Sequence, residues 1–298
     1  MIIVIGSINM DMVATLGHHP APGETVLANE YAQHHGGKGA NQAVAAARVG
    51  AEVRMIGAVG NDAFADQLVN ELCREHIDID SLQYADCNSG LAMISVDKEG
   101  ENRIVVVSGA NATLLPQSIG AANFSDASIV LLQLEIPFQT VRRAATIAHG
   151  AGATVVLNAA PASRLQAQDL ALIDWLLVNA GEAAHLLGEE PAESLAGAQL
   201  QADALVNAGP SVLITLGGEG VVWRHGSESG HVAALTTEIV DSTGAGDAFA
   251  GVFVQSLDAG WPIRDCLQRA NAAGALAVER GGAPHSPPTG EQLQARPS

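Results

Sequence analysis

A three-layer α/β/α fold, with a mainly parallel central sheet and a small β-sheet lid, is the architecture this sequence predicts. Two patterns point to the layers. Short apolar runs end in glycine or a polar residue, and from Ser128 onward they alternate with small-residue segments of helical period. A third pattern points to the lid: strand-like stretches near 12–16, 25–34 and 91–107 break that alternation early in the chain. With 298 residues, 48% of them hydrophobic and only 3% aromatic, the chain can build a sizeable core from Ala, Val, Leu and Gly. No internal repeat or long linker divides it. Residues 1–298 therefore read as one domain, with lid strands from about 12–34 and 89–108.

The run I-I-V-I (2–5) is continuously apolar and ends in glycine, as a buried strand does. N-Q-A-V-A-A-A-R-V-G (41–50) is a helix closed by Gly50, and V-R-M-I-G-A-V-G (53–60) is a second strand. Asp62 caps a helix that runs to about His76. L-A-M-I-S-V (91–96), the turn D-K-E-G-E-N and R-I-V-V-V (103–107) form an antiparallel hairpin. Strands at 129–134, 154–158, 175–179 and 211–216 follow, with helices at about 137–149 and from near Gly181. V-V-W (221–223) precedes two final helices, about 247–259 and 263–280, and a Pro-rich tail.

The net charge is −18, from 14 basic and 32 acidic residues, and the longest basic run is Arg142-Arg143. Nucleic acid and anionic membranes are thereby disfavoured as partners. A phosphate compound would have to be held locally, by helix ends, a metal ion and a few placed cations. Cys73, Cys87 and Cys266 are far apart and form no C-x-x-C, so neither a disulfide framework nor a zinc site is indicated. The start lacks a basic n-region and meets Asp11 early, and no apolar run reaches the roughly 18 residues a membrane helix needs. A cytoplasmic setting is expected.

Familiar phosphate and nucleophile motifs are missing. Lys38 is followed by Gly39 rather than Ser or Thr, the first strand ends in G-S-I-N-M-D rather than G-x-G-x-x-G, and neither H-E-x-x-H nor G-x-S-x-G occurs. What remains is a set of polar clusters, each just past the carboxyl end of an expected strand, where open α/β sheets bind ligands. They are Asn9 and Asp11, Glu135, N-A-G-E with Asn179 and Glu182, and T-L-G-G-E-G from Thr215 to Gly220. H-H-G-G-K-G-A-N-Q-A (34–43) adds glycines, a lysine and an asparagine at a helix start. In D-S-T-G-A-G-D-A-F (241–249), Asp247 stands at the start of an amphipathic helix, beside a glycine turn whose N–H groups can face an anion. His18, His19, His34 and His35 are expected to be solvated loop residues.

These motifs resemble the ribokinase-like, phosphofructokinase B type, carbohydrate kinase family. The likeness runs through G-S-I-N-M-D (6–11), P-G-E-T (22–25), G-G-K-G-A-N-Q-A (36–43), Q-L-E-I-P (133–137), L-N-A-A-P-A (157–162), T-L-G-G-E-G (215–220), D-S-T-G-A-G-D (241–247) and G-G-A-P (281–284). It implies a ribokinase-like fold whose lid also forms a homodimer contact. It also implies transfer of the ATP γ-phosphoryl group to a sugar hydroxyl with Mg2+, and K+ as an activating ion. The implied acceptor is the 5-hydroxyl of D-ribose; 2-deoxyribose, a ketose, a sugar acid or a nucleoside are alternatives, and a non-catalytic sugar sensor is a rival of a different class.

Carried over by residue, the resemblance makes Asp247 the general base and the Gly244, Ala245 and Gly246 amides the anion hole. Asn9, Met10, Asp11, Gly37, Lys38, Gly39, Ala40, Asn41, Glu135 and Asp247 would meet the sugar. Asn179, Thr215, Leu216, Gly217, Gly218, Glu219, Gly220, Gly246 and Asn271 would line the ATP site. Glu182 would act on Mg2+ through water, and Asp241, Thr243, Ala277, Arg280, Gly282 and Ser286 would surround K+. Two departures from the family pattern stand out. Ala159 replaces a usual proline, which is expected to loosen a turn, and Ala180 replaces a usual acidic residue.

Overall fold

The computed structural model describes residues 1–238, 241–279 and 287–295. The chain opens with β1 (Ile2–Ile5), enters a second sheet with β2 (Asn9–Thr15) and β3 (Glu30–Gly36), and returns through α1 (Lys38–Arg48) to β4 (Val53–Ile56). β5 (Ala58–Val59), α2 (Ala65–Arg74) and β6 (Gln83–Tyr84) lead to the hairpin β7 (Gly90–Val96) and β8 (Asn102–Val107). Next come β9 (Ile129–Leu132), α3 (Phe138–Gly150), β10 (Thr154–Asn158), the short α4 (Ala167–Leu170), β11 (Trp175–Asn179), α5 (Ala180–Leu187) and α6 (Leu195–Val206). β12 (Ser211–Thr215), β13 (Val221–His225) and β14 (Glu228–Val232) precede α7 (Ala245–Asp258), α8 (Ile263–Val278) and α9 (Gly290–Gln294).

The larger sheet runs β14-β13-β12-β11-β10-β9-β1-β4. From β12 to β4 all neighbours are parallel, and β13 and β14 add an antiparallel edge. Successive side chains of a strand point to opposite faces, so each buried strand feeds two cores. Ile2 and Val4 face one core with Ala43 of α1, Phe249 and Phe253 of α7 and Leu267 of α8. Ile3 and Ile5 face the other with Val141 of α3, Ala183 of α5 and Ala198 of α6. Because these strands are parallel, their carboxyl ends share one rim. Among the described residues no helix is long and apolar enough to cross a membrane.

The second sheet has the order β3-β2-β7-β8. β2 begins at Asn9, three residues before the expected 12, so Asn9 and Asp11 lie within this sheet, paired across to Gly36 and His34. The hairpin holds as expected, with β7 and β8 antiparallel. β8 is exposed along its length, including Ile104, Val105, Val106 and Val107.

Other differences have local causes. The strand expected over 53–60 breaks at Gly57, and β5 leaves the main sheet to pair with β6. A Cβ at Gly57 would stand 3.1 Å from the Gly6 carbonyl oxygen, so the chain bends where two backbones nearly touch. α6 lies outside the expected elements because its apolar residues spread around the helix instead of forming a stripe. His18 is open to solvent, with 61% of its side chain exposed, but His19 has only 6% and bonds to Ser95 Oγ and the Glu101 carbonyl. His34 and His35 lie on β3 rather than in a loop. At Ala159 the N–H donates to the Leu177 carbonyl at 2.9 Å, a bond proline could not make.

Candidate active site

Two helix starts meet at the rim. Gly244 caps α7 in the left-handed region, at φ 79°, where a residue with a Cβ is strained. Ala248 N–H donates to the Gly244 carbonyl at 2.9 Å, so the amides of Gly246 and Asp247 precede the first intrahelical bond of this turn. The Ala245 amide is partly engaged, reaching the Ser242 carbonyl at 3.4 Å. α7 lies against α1 at Gly251, where a Cβ would fall 2.6 Å from the Gln42 carbonyl oxygen. That close approach sets the carboxylate of Asp247 beside two side-chain amides. Asn41 Nδ2 donates to its Oδ2 at 3.0 Å and Gln42 Nε2 to its Oδ1 at 2.8 Å.

Asp247, 8% exposed, lines a cavity of about 350 Å³ together with Lys38, Asn158, Asn179, Glu182 and Gly246. Asn102 and Ile104 of β8 line it from the second sheet. Among the described residues lining it, Lys38 is the cation. The carboxylate of Asp247 above all, then those of Glu135, Glu182 and Asp11, hold its ammonium above the usual lysine range against the opposing effect of burial. Burial pushes the Glu182 carboxyl above its usual range, and the negative charge of Asp247 adds to that, while the Asn179 amide and Lys38 oppose it.

The glycines of the loop allow close packing. Gly36 has no side chain where the Asp11 carboxylate sits: a Cβ there would stand 2.3 Å from its oxygens. At Gly37, with φ 90°, a Cβ would stand 2.8 Å from Asn9 N, and at Gly39 one would stand 2.7 Å from Ser7 N. The loop is thus pressed on the end of β1. Glu135 is tied to the same place, its Oε2 accepting from Ser7 Oγ at 2.5 Å and from Lys38 N–H at 3.1 Å.

A second cavity, of about 340 Å³, adjoins the first and shares Asn179, Thr215, Ser242, Gly246 and Phe249 with it. Gly217, Gly218, Gly220 and Asn271 line it. Asn271 Nδ2 donates to the carbonyls of Val232 and Ala233, at 3.0 and 3.1 Å, and so holds one wall in place. Asn179 and Glu182 form a reciprocal helix cap, with Asn179 Oδ1 accepting from Glu182 N–H and Glu182 Oε2 from Asn179 N–H, each at 2.8 Å.

Some expected site residues lie elsewhere. The Met10 side chain points into the core, because it alternates along β2 with Asn9 and Asp11. Ala40 also packs in the core. Leu216 packs under the sheet, and the Glu219 backbone carbonyl accepts from His231 Nε2 at 2.6 Å; neither residue lines the cavity beside Thr215 and Gly217. Of the six residues expected around K+, Arg280, Gly282 and Ser286 lie outside the described residues, as does G-G-A-P (281–284). Asp241 N–H donates to the Val278 carbonyl at 3.2 Å and its Oδ1 accepts from Thr243 N–H at 2.9 Å, so Asp241, Thr243 and the end of α8 after Ala277 do meet.

Several polar residues of the site escape sequence reasoning. Gln42, Gln133 and Ser7 are fully buried, and Asn111 nearly so. Asn111 Nδ2 donates to Asn9 Oδ1 at 2.7 Å and its Oδ1 accepts from Ile8 N–H at 2.9 Å, fixing the start of β2. The available signal was a polar side chain in an otherwise apolar element, such as Gln133 closing I-V-L-L-Q-L, since a buried amide needs partners.

Known proteins resemble this chain in sequence and fold. The chain matches the pfkB family carbohydrate kinases over residues 1–290. It is 36% identical to a ribokinase of Schizosaccharomyces pombe, across 97% of this chain and 95% of that one. It is 33% identical to a deoxyribokinase of Salmonella typhimurium, across 98% and 97%. The crystal structure of a ribokinase from Thermotoga maritima, 33% identical, superposes with a TM-score of 0.90 across 99% and 98% of the two chains. An Arabidopsis thaliana ribokinase complexed with ribose and ATP, 29% identical, gives 0.90 across 98% and 97%.

Proposed function

The chain belongs to the pfkB family of carbohydrate kinases, and from that premise we propose that it transfers the γ-phosphoryl group of ATP to the 5-hydroxyl of D-ribose. The observation that carries this reading is the Asp247 carboxylate on the wall of a cavity at the first turn of α7, fixed by Asn41 and Gln42. A sugar hydroxyl is a weak nucleophile, and phosphoryl transfer depends mostly on placement and charge stabilisation. Asp247 takes the hydroxyl proton as the oxygen–phosphorus bond forms and the bond from γ-phosphorus to the bridging oxygen breaks, giving ribose 5-phosphate and ADP. The amides of Gly244, Ala245 and Gly246, joined by that of Asp247 at the positive end of α7, receive the charge of the moving phosphoryl group. Base assistance of this kind is worth roughly 10²–10⁴-fold.

Asn9, Asp11, Lys38, Asn41 and Glu135 hold the sugar in this reading, with Asp11 taking neighbouring hydroxyls. The adjoining cavity beside Thr215, Gly217 and Asn271 takes the nucleotide. The second sheet, whose Asn102 and Ile104 line the Asp247 cavity, acts as a lid that keeps water from competing as acceptor. Residues 1–298 form one kinase domain with this lid.

Mg2+ fits the site: the Glu182 and Asp247 carboxylates line the same cavity, and a hard cation takes such oxygens together with water and phosphate. Bound there, it would neutralise phosphate charge. The oxygens of Asp241 and Thr243, next to the end of α8, suit K+ as an activating ion. The apolar, unpaired edge of β8 suits pairing with a second copy, so the enzyme acts as a homodimer. Its setting is the cytoplasm.

The 33% identity to a deoxyribokinase makes 2-deoxyribose the acceptor to test against. A sugar lacking the 2-hydroxyl leaves a built acceptor unmatched, which discriminates strongly in a closed site. The test is ADP release from Mg-ATP with ribose, 2-deoxyribose, fructose and nucleosides in turn, with and without potassium. Ribose is expected to give the highest kcat/KM. Sugar binding without ADP release would favour a sensor.

A further inference from the structure

We infer that Gln42 is a positioning residue for the base, and that a buried row of amides from Gln133 through Gln42 fixes the direction in which Asp247 presents its carboxylate. The inference rests on the kinase reading above. Gln42 is fully buried in the first turns of α1, and its Nε2 donates to Asp247 Oδ1 at 2.8 Å and to Asn158 Oδ1 at 2.9 Å. Its Oε1 accepts from Gln133 Nε2 at 2.7 Å.

The carboxylate dictates this order. An ionised aspartate only accepts, so Gln42 must turn its NH2 toward it, and its carbonyl oxygen must then find a donor behind. Gln133 supplies that donor. In doing so it leaves its own Oε1 buried and without a hydrogen-bond partner among the described residues. That oxygen rests against Gly6, where a Cβ would stand 1.9 Å from it. Buried amides rarely leave an acceptor unmet, so the row is arranged for the carboxylate rather than for its own satisfaction.

The two donors to Asp247 differ in kind. Asn41 is half-buried and is expected to meet the sugar, so its bond is open to exchange on binding. Gln42 lies behind, fully buried, with its backbone at the close contact between α1 and α7. It therefore holds Oδ1 in every state of the cycle, and Oδ2 is left for the hydroxyl proton. A carboxylate free to rotate would lose this alignment, and misplacement of about 1 Å costs on the order of 10²-fold in rate.

The test is a mutant cycle read by single-turnover phosphoryl transfer and by calorimetric ribose binding. Gln42→Leu is expected to lower the transfer rate about tenfold or more while ribose affinity changes less than about twofold. In an Asp247→Ala background, where no carboxylate remains to be aimed, the same substitution is expected to have no further effect on residual transfer. Gln133→Met, which frees Gln42 to turn, gives a smaller loss with the same dependence on Asp247, and carries the test if Gln42→Leu does not fold. Equal losses in both backgrounds, or a loss confined to ribose affinity, overturn the inference while the kinase reading stands. A wild-type protein with no sugar-dependent ADP release overturns that reading and this inference with it.

Discussion

The side-chain amide of Asn41 donates to Oδ2 of Asp247 at 3.0 Å, joining residues 206 positions apart. The contact brings together the first turns of α1 and α7, whose ends carry positive partial charge, and Lys38 stands at the start of the same α1 turn. The carboxylate there accepts hydrogen bonds from Asn41 and Gln42. Replacing Asp247 by Asn keeps the shape and removes the proton acceptor. The expected result is a kcat at least about a hundredfold lower with ribose binding retained, measured by coupled ADP assay and calorimetry.

Gly246 tests the anion-binding turn without disturbing the fold. A Cβ at this position meets nothing within 4 Å, because it projects into the space shared by the two cavities. Alanine is also the better helix former. Gly246→Ala should therefore unfold no earlier than the parent, yet lower kcat/KM for ATP at least about tenfold, since it displaces the phosphates. Thermal unfolding and initial rates check the two halves.

Gly36 and Asp11 are a matched pair, the missing side chain of one being the space of the other. Gly36→Ala would set a methyl group 2.3 Å from the Asp11 carboxylate. The substitution should destabilise the fold by about 1–3 kcal/mol, as overpacking does. Ribose affinity should fall with it, while ATP affinity is spared. Calorimetric titration with each ligand separates the effects.

Glu182 gives a pH dependence of definite sign. Its carboxyl is pushed above the ordinary glutamate value of 4.5, so on acidification it takes up a proton earlier than a free glutamate does. Charge at the proposed metal position is then lost. The Mg2+ concentration for half-maximal rate is expected to rise as pH falls toward the ordinary range in the parent. In Glu182→Gln it is expected to be higher throughout and nearly flat with pH.

The exposed edge at β8 predicts the assembly. Val105 is 58% exposed in a strand whose Ile104 lines the Asp247 cavity. A glutamate at Val105 would place charges opposite one another in a paired strand. Sedimentation should give a dimer for the parent at micromolar concentration and a monomer for Val105→Glu.

Much of this is written in local pattern. The alternation of apolar strands and small-residue helices is visible from Ser128 onward, and the glycine turn before Asp247 marks its own helix start. What local pattern does not carry is contact across the chain. The proximity of Gln42 to Asp247 depends on how closely α1 and α7 approach at Gly251, and no feature of either segment alone states it. The split at Gly57 likewise depends on the backbone of Gly6. Met10 lies between Asn9 and Asp11 in N-M-D, but strand alternation sends its side chain to the core.

The base assignment is tested most directly by a crystal structure with ribose and a non-hydrolysable ATP analogue bound together. Asp247 should lie within hydrogen-bonding distance of the ribose 5-hydroxyl, with that oxygen in line with the terminal phosphorus. A 5-hydroxyl bonded to some other group, with the Asp247 carboxylate turned away from it, would contradict the account.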